Sequence, residues 1–201
     1  MEETDKLTKR GQRRAVREKC RSLSAEYFRA AGESIARAVI ASPEFAAAKT
    51  VFLYLNTPTE PDTAPIFRAA LAAGKTVCVP KCVSDTEMIA VACDADTVLA
   101  RGMWGLTEPV SDARAVPRER IDLAVVPCVS ADRHGHRLGH GAGYYDRFLE
   151  GSGIRTVCLC FEKLISDEVL SDANDIPVDV VISEERRTDT VGIQNKGGFE
   201  L

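Results

Sequence analysis

The residues best placed to do chemistry lie in Arg137-Leu138-Gly139-His140-Gly141-Ala142-Gly143-Tyr144-Tyr145-Asp146. Three glycines at alternate positions give a backbone that can take positive φ and let another molecule approach closely. Apolar Ile121 to Pro127 precedes the loop as a buried strand, and Tyr144 to Glu150 follows it as the first turns of a helix. Strand, glycine loop and helix together present backbone N–H groups and a helix N-terminus to a phosphate. Arg137 adds a planar cationic fork suited to phosphate oxygens. Asp146 adds a carboxylate beside that anion, an arrangement that makes sense around Mg²⁺. The stretch lacks both the Gly-Lys-Ser/Thr ending of a P-loop and the spacing of a dinucleotide turn. On residue chemistry alone, a nucleotide-phosphate site and a merely tight glycine-rich turn both stay open.

The elements around this loop are legible from pattern. Residues from about 4 to 21 are rich in Lys, Arg and Glu and predict a basic N-terminal helix. Ser24 can cap a second helix, whose apolar face is Phe28, Ala31, Ile35, Ala38 and Val39 and whose end Pro43 marks. Strands are expected at 50–55, 76–80, 88–92, 121–127, 156–161 and 178–182, and a helix carrying Ile66, Phe67, Ala70 and Leu71 closes at Gly74. The stretch 95–120 reads as connecting structure, and the polar tail after about 188 as loosely held. Helices alternating with strands buried on both faces predict an α/β fold, a Rossmann-like three-layer α/β/α sandwich on a mainly parallel sheet. The whole chain, 1–201, reads as one domain.

Composition removes several classes of function. A net charge of -4 gives no basic footprint for nucleic acid. No apolar run approaches the roughly 20 residues needed to span a bilayer, and the charged start lacks the apolar core of a secretory signal, so a cytoplasmic protein is expected. Seven cysteines form no C-x-x-C pair, and Cys78, Cys128, Cys158 and Cys160 fall in apolar strands as small hydrophobes, which predicts reduced thiols. His134, His136 and His140 fall within seven residues, but intervening glycines and the absence of an evident supporting acid argue against a transition-metal site.

Ligands of open α/β sheets gather at the carboxyl ends of the strands. That rule picks out the loop after Leu55, the segment around Pro80, the glycine loop after Val129 and the loop after Phe161. Taken alone, Glu60 is a solvated loop acid, Lys9 and Arg13 a basic helix face, Trp104 a packing anchor and Asp175 a turn acid.

Arg-Leu-Gly-x-Gly-x-Gly-Tyr-Tyr-Asp resembles the signature of the 5-formyltetrahydrofolate cyclo-ligases, and weaker matches extend from Lys9 to about Ile182. The resemblance implies ATP-dependent ring closure of 5-formyltetrahydrofolate to 5,10-methenyltetrahydrofolate with Mg²⁺, releasing ADP and phosphate, by a monomer with no nucleic-acid or membrane partner. It gives Lys9, Arg13 and residues 137–145 to ATP, although Arg10, Arg14 and Arg17 are near enough to fill the basic pair's roles. Leu55, Glu60, Trp104 and residues 140–144 go to the folate, and Asp146 and Asp175 to Mg²⁺. Arg137 and Asp146 are the expected catalytic residues. His140 fills a variable position of the loop, and Ala142 replaces the Lys or Gly often seen in the family. A sugar-phosphate or acyl-CoA enzyme on a similar sheet, and a binding-only relative, are the other readings.

Overall fold

The computed structural model describes residues 8–190 apart from Ala113. Its centre is an eight-stranded sheet in the order β12-β11-β10-β7-β1-β2-β3-β6. Five of these strands run parallel: β11 (Val180–Ile182), β10 (Arg155–Leu159), β7 (Leu123–Val126), β1 (Thr50–Leu53) and β2 (Thr76–Cys82). Antiparallel strands finish both edges: β3 (Met88–Cys93) and β6 (Ala115–Val116) on one side, β12 (Arg187–Asp189) on the other.

Successive strand residues point to opposite faces, yet Val51, Phe52 and Leu53 are all buried, as is every residue of β7. Both faces of the sheet are therefore covered, which makes the expected three layers. Phe52 stacks on Phe148 of the helix α5 (Tyr144–Leu149) with ring centroids 4.9 Å apart. Helix α2 (Ala25–Ile40) buries Ile35 and Val39 and packs on α4 (Ala64–Ala72). All seven cysteines are free and six are buried, as small apolar side chains in a strand-rich core would be.

Several boundaries differ from expectation, each for a local reason. The basic helix α1 (Lys9–Arg21) starts later than residue 4: Thr8 is extended and its hydroxyl accepts the Gly11 N–H as N-cap. The expected helical residues before Thr8 lie outside the described chain. Pro43 marks the end of α2, which stops at Ile40, and itself opens an additional five-residue helix, α3 (Pro43–Ala47), at the first position, where a missing N–H costs nothing. The connecting stretch 95–120 contains an antiparallel ribbon, β4 (Leu99–Arg101) with β5 (Thr107–Pro109), besides the edge strand β6. The tail is held beyond residue 188: Thr188 pairs with Val181, and Thr190 is fully buried with its N–H on the Asp179 carbonyl. Residues 191–201 lie outside the described chain. Among the described residues, no helix is long and apolar enough to cross a membrane.

Candidate functional site

The glycine loop does not follow its strand directly, as the sequence pattern suggested. After β7 the chain makes a two-stranded ribbon, β8 (Ser130–Ala131) against β9 (Arg137–Leu138), with the Val129 N–H donating to the Leu138 carbonyl at 2.7 Å. Asp132, fully buried in that ribbon, accepts the N–H groups of His134, His136 and Val169 and a contact from His136 Nδ1 at 3.0 Å. The ribbon delivers Arg137 into the interior, with a side chain only 4 % exposed. Gly141 has φ +114° and Gly143 φ +69°, which L side chains rarely adopt, so the loop needs both glycines. Helix α5 then has only six residues, so the anion-attracting charge of the site rests on arginine and lysine side chains more than on a helix end.

The loop forms one wall of a cavity of about 570 Å³. Lys9, Arg13, Leu55, Glu60, Trp104, every residue from Arg137 to Asp146, and Asp175 all line it. Along α1, Lys9 and Arg13 face the cavity, while Arg10, Arg14 and Arg17 are exposed and do not line it. Arg13 Nε donates to the Gly139 carbonyl at 2.7 Å, fastening α1 to the glycine loop. Gln12 fastens it again: its amide donates to the Glu168 carbonyl and accepts the Leu170 N–H.

Two ion pairs sit at this cationic end. Arg137 Nη2 donates to Asp146 Oδ1 at 2.7 Å, and the same oxygen accepts the Ile176 N–H at 3.1 Å. Asp175, the residue before Ile176, is paired with Lys9, which also reaches Asp172 Oδ2 at 2.6 Å. Burial works to lower the Lys9 ammonium, but the hydrogen bonds and charges of Asp172 and Asp175 outweigh it and raise its pKa. Burial works to raise Asp175, and Lys9 with the Asp172 N–H outweighs it, holding the carboxyl below the ordinary range. Arg137 Nε is the one buried side-chain polar atom without a hydrogen-bond partner among the described residues.

Glu60, also on the cavity wall, is buried with both oxygens engaged: Oε1 meets His140 Nε2 at 3.0 Å and Oε2 accepts the Thr57 N–H at 2.8 Å. Burial favours its neutral form, yet these partners prevail and lower its pKa. Trp104 is 68 % exposed and has φ +60°, an uncommon backbone for a bulky residue. Its indole N–H donates to the Tyr144 hydroxyl at 3.0 Å, which in turn donates to the Ser84 carbonyl at 2.8 Å. Tyr145 is half-buried, and desolvation of its hydroxyl raises that group's pKa.

The three histidines do not converge. His136 belongs to Asp132 and His140 to Glu60. Of the four strand-end loops, the residues directly after Phe161 face away, with Glu162 paired to Arg133 and Arg186; only the later part of that segment, Asp172 and Asp175, reaches the cavity. Tyr54, Thr57, Cys82, Met88, Leu106, Glu108 and Asp172 also line it and were not foreseen. Glu108 could have been noticed as an acid inside an otherwise apolar segment; nothing local distinguishes Asp172 from its acidic neighbours.

The chain is similar to known proteins over most of its length. Residues 5–184 match the 5-formyltetrahydrofolate cyclo-ligase family. The chain is 30 % identical to a probable 5-formyltetrahydrofolate cyclo-ligase of Schizosaccharomyces pombe, over 76 % of this chain and 83 % of that one. It is 29 % identical to the 5-formyltetrahydrofolate cyclo-ligase of Escherichia coli K12, over 85 % and 97 %. Among solved structures, 5,10-methenyltetrahydrofolate synthetase of Aquifex aeolicus superposes with a TM-score of 0.81 at 32 % identity, covering 96 % of this chain and 95 % of that one.

Proposed function

The chain belongs to the 5-formyltetrahydrofolate cyclo-ligase family, and from that membership we propose that it closes 5-formyltetrahydrofolate to 5,10-methenyltetrahydrofolate, consuming ATP with Mg²⁺ and releasing ADP and phosphate. The observation that carries this reading is the composition of one cavity. Lys9, Arg13 and Arg137 line the same cavity as Trp104, Leu106 and Met88. A polyanion and a flat heterocycle can meet there.

The chemical difficulty is that nitrogen resonance makes a formamide a poor electrophile. Transfer of the γ-phosphoryl group to the formyl oxygen converts that oxygen into part of a leaving group. N10 of the folate then attacks the activated carbon, the ring closes, and the C–O bond breaks to release phosphate. Such a reaction asks the protein to position two substrates and to neutralise charge, with no side-chain nucleophile.

The residues divide that work. Arg137, fixed by Asp146, offers guanidinium donors beside Gly139, whose own carbonyl anchors Arg13. Lys9 supplies a third positive charge. Glu60, backed by Thr57 and His140, and Leu55 hold the folate at the far side of the loop. Residues 140–144 line the cavity and would contact both substrates.

Asp146 and Asp175 fit a hard cation. Each uses one oxygen for its ion pair, leaving Asp146 Oδ2 and Asp175 Oδ1 without a hydrogen bond among the described residues. No group of three or more His, Cys, Asp or Glu gathers among the described residues, so phosphate oxygens and water complete the shell, as suits Mg²⁺. When bound, Mg²⁺ neutralises charge on the phosphoryl oxygens.

The test is a spectrophotometric assay for the methenyl chromophore with 5-formyltetrahydrofolate, ATP and Mg²⁺. Product should appear only when all three are present, with ADP in equal amount. Turnover without nucleotide, or binding of both substrates without ADP release, overturns the proposal.

A further inference from the structure

Glu108 lies in β5 on the cavity wall and is 6 % exposed, among Cys82, Met88, Leu106 and Trp104. Its Oε1 accepts the Cys82 N–H at 3.2 Å, the Cys82 thiol also hydrogen-bonds to the carboxylate, and among the described residues no Lys, Arg or His forms an ion pair with it. A buried carboxylate without a counter-charge is costly unless a further donor partners it. The chain nevertheless makes room for it: a Cβ at Gly102 would stand 1.9 Å from Glu108 Oε2, so any larger residue there must push the carboxylate aside. Glu108 lines the cavity. Glu60, the other buried acid of the cavity, has both oxygens occupied.

A carboxylate with open lone pairs in an apolar wall suits a flat ligand edge carrying two adjacent N–H donors. The 2-amino-4-oxopyrimidine ring of a pterin presents such an edge, with N3–H beside the 2-amino group. Met88, Leu106 and Trp104 offer apolar surface to the ring faces. We propose that Glu108 is a specificity-determining residue that reads the N3–H and 2-amino edge of the pterin. It rests on the folate reading above and places the pterin at the β4–β5 ribbon.

Trp104 is the only tryptophan and lines the same cavity, so its fluorescence reports binding without turnover. Wild-type protein and Glu108→Gln are titrated with 5-formyltetrahydrofolate and with its 2-desamino analogue. The wild type should bind the analogue about 10- to 100-fold more weakly than the parent, the worth of a charge-assisted pair. Glu108→Gln should lose a similar factor for the parent and nothing more for the analogue, with the KM for ATP unchanged. Gly102→Ala, which displaces the carboxylate without removing it, should show the same selective loss, and equal affinity of the wild type for the two ligands overturns the assignment without any variant. If Glu108→Gln discriminates as the wild type does, Glu108 is not the reader, although the folate reading stands. If the wild type does not bind the parent, both fall together.

Discussion

Arg137 and Asp146 close the glycine loop on itself. They stand nine positions apart, at its first residue and in the first turn of the helix behind it, joined at 2.7 Å with side chains 4 % and 19 % exposed. Asp146 passes the connection on by accepting the Ile176 N–H, so the segment bearing Asp175 is fastened to the same oxygen. One interaction thereby sets the loop, the cationic fork and both proposed Mg²⁺ ligands in register.

Breaking that pair should cost both stability and turnover. Arg137→Ala leaves Asp146 without its cation and is expected to destabilise the fold by about 3 kcal/mol. Arg137→Lys keeps the charge but not the fork, so it should recover part of the stability and little of the activity. Asp146→Asn should raise the Mg²⁺ concentration needed for half-maximal rate. Urea denaturation beside the methenyl assay checks all three, and full activity in Arg137→Ala would remove Arg137 from the mechanism.

Gly143 and Gly74 separate backbone strain from close approach. Both have φ near +70°, but a Cβ at Gly143 would lie 2.8 Å from Arg147 Nη1, whereas nothing stands within 4 Å at Gly74. Arg147 itself ties the Ala142 carbonyl to the Thr86 carbonyl. Gly74→Ala should lower stability by about 1 kcal/mol and leave turnover unchanged. Gly143→Ala should lose more stability and also raise the KM for ATP, as thermal melts and initial rates will show.

Lys9 and Asp172 make a sharper pair of variants. Lys9→Met removes a cation that faces the cavity and should raise the KM for ATP by about 10-fold or more, with a smaller change in kcat. Asp172 is 74 % exposed, so Asp172→Asn should shift stability by less than about 0.5 kcal/mol. Initial rates over a range of ATP concentrations distinguish the two; an unchanged KM in Lys9→Met removes it from nucleotide binding.

Acid sensitivity should trace in part to Glu44, away from the cavity. The Arg187 guanidinium, bonded to both its oxygens at 2.8 Å, with help from Arg155, takes its pKa from the ordinary 4.5 to about 2. A carboxyl lowered in the folded state stabilises it fully above the unfolded value and loses that contribution as pH falls from about 4.5 through about 2. After screening of the half-exposed arginines, the contribution is about 2 kcal/mol. Glu44→Gln should therefore be less stable at neutral pH and lose less on acidification. Parallel acid limbs in urea melts of the two proteins would show that Glu44 carries none of this dependence.

The sequence by itself determined what depends on neighbours along the chain. Ser24 announced its helix because a hydroxyl three residues ahead of a free N–H caps it, and the Val- and Leu-rich runs announced strands buried on both faces. The glycine loop declared itself by three residues that tolerate positive φ. Through the order of its sheet, the tertiary structure decided the rest. With β1 seated between β7 and β2, Glu60 meets His140 across 80 positions, and Lys9 meets Asp175 across 166. The choice of Lys9 and Arg13 over Arg10, Arg14 and Arg17 depends on which face of α1 docks. The place of Glu108 on the cavity wall depends on how the β4–β5 ribbon folds against β2. Neither was written locally, because a side chain's neighbours across the core are fixed by packing between elements and not by the periodicity within any one of them.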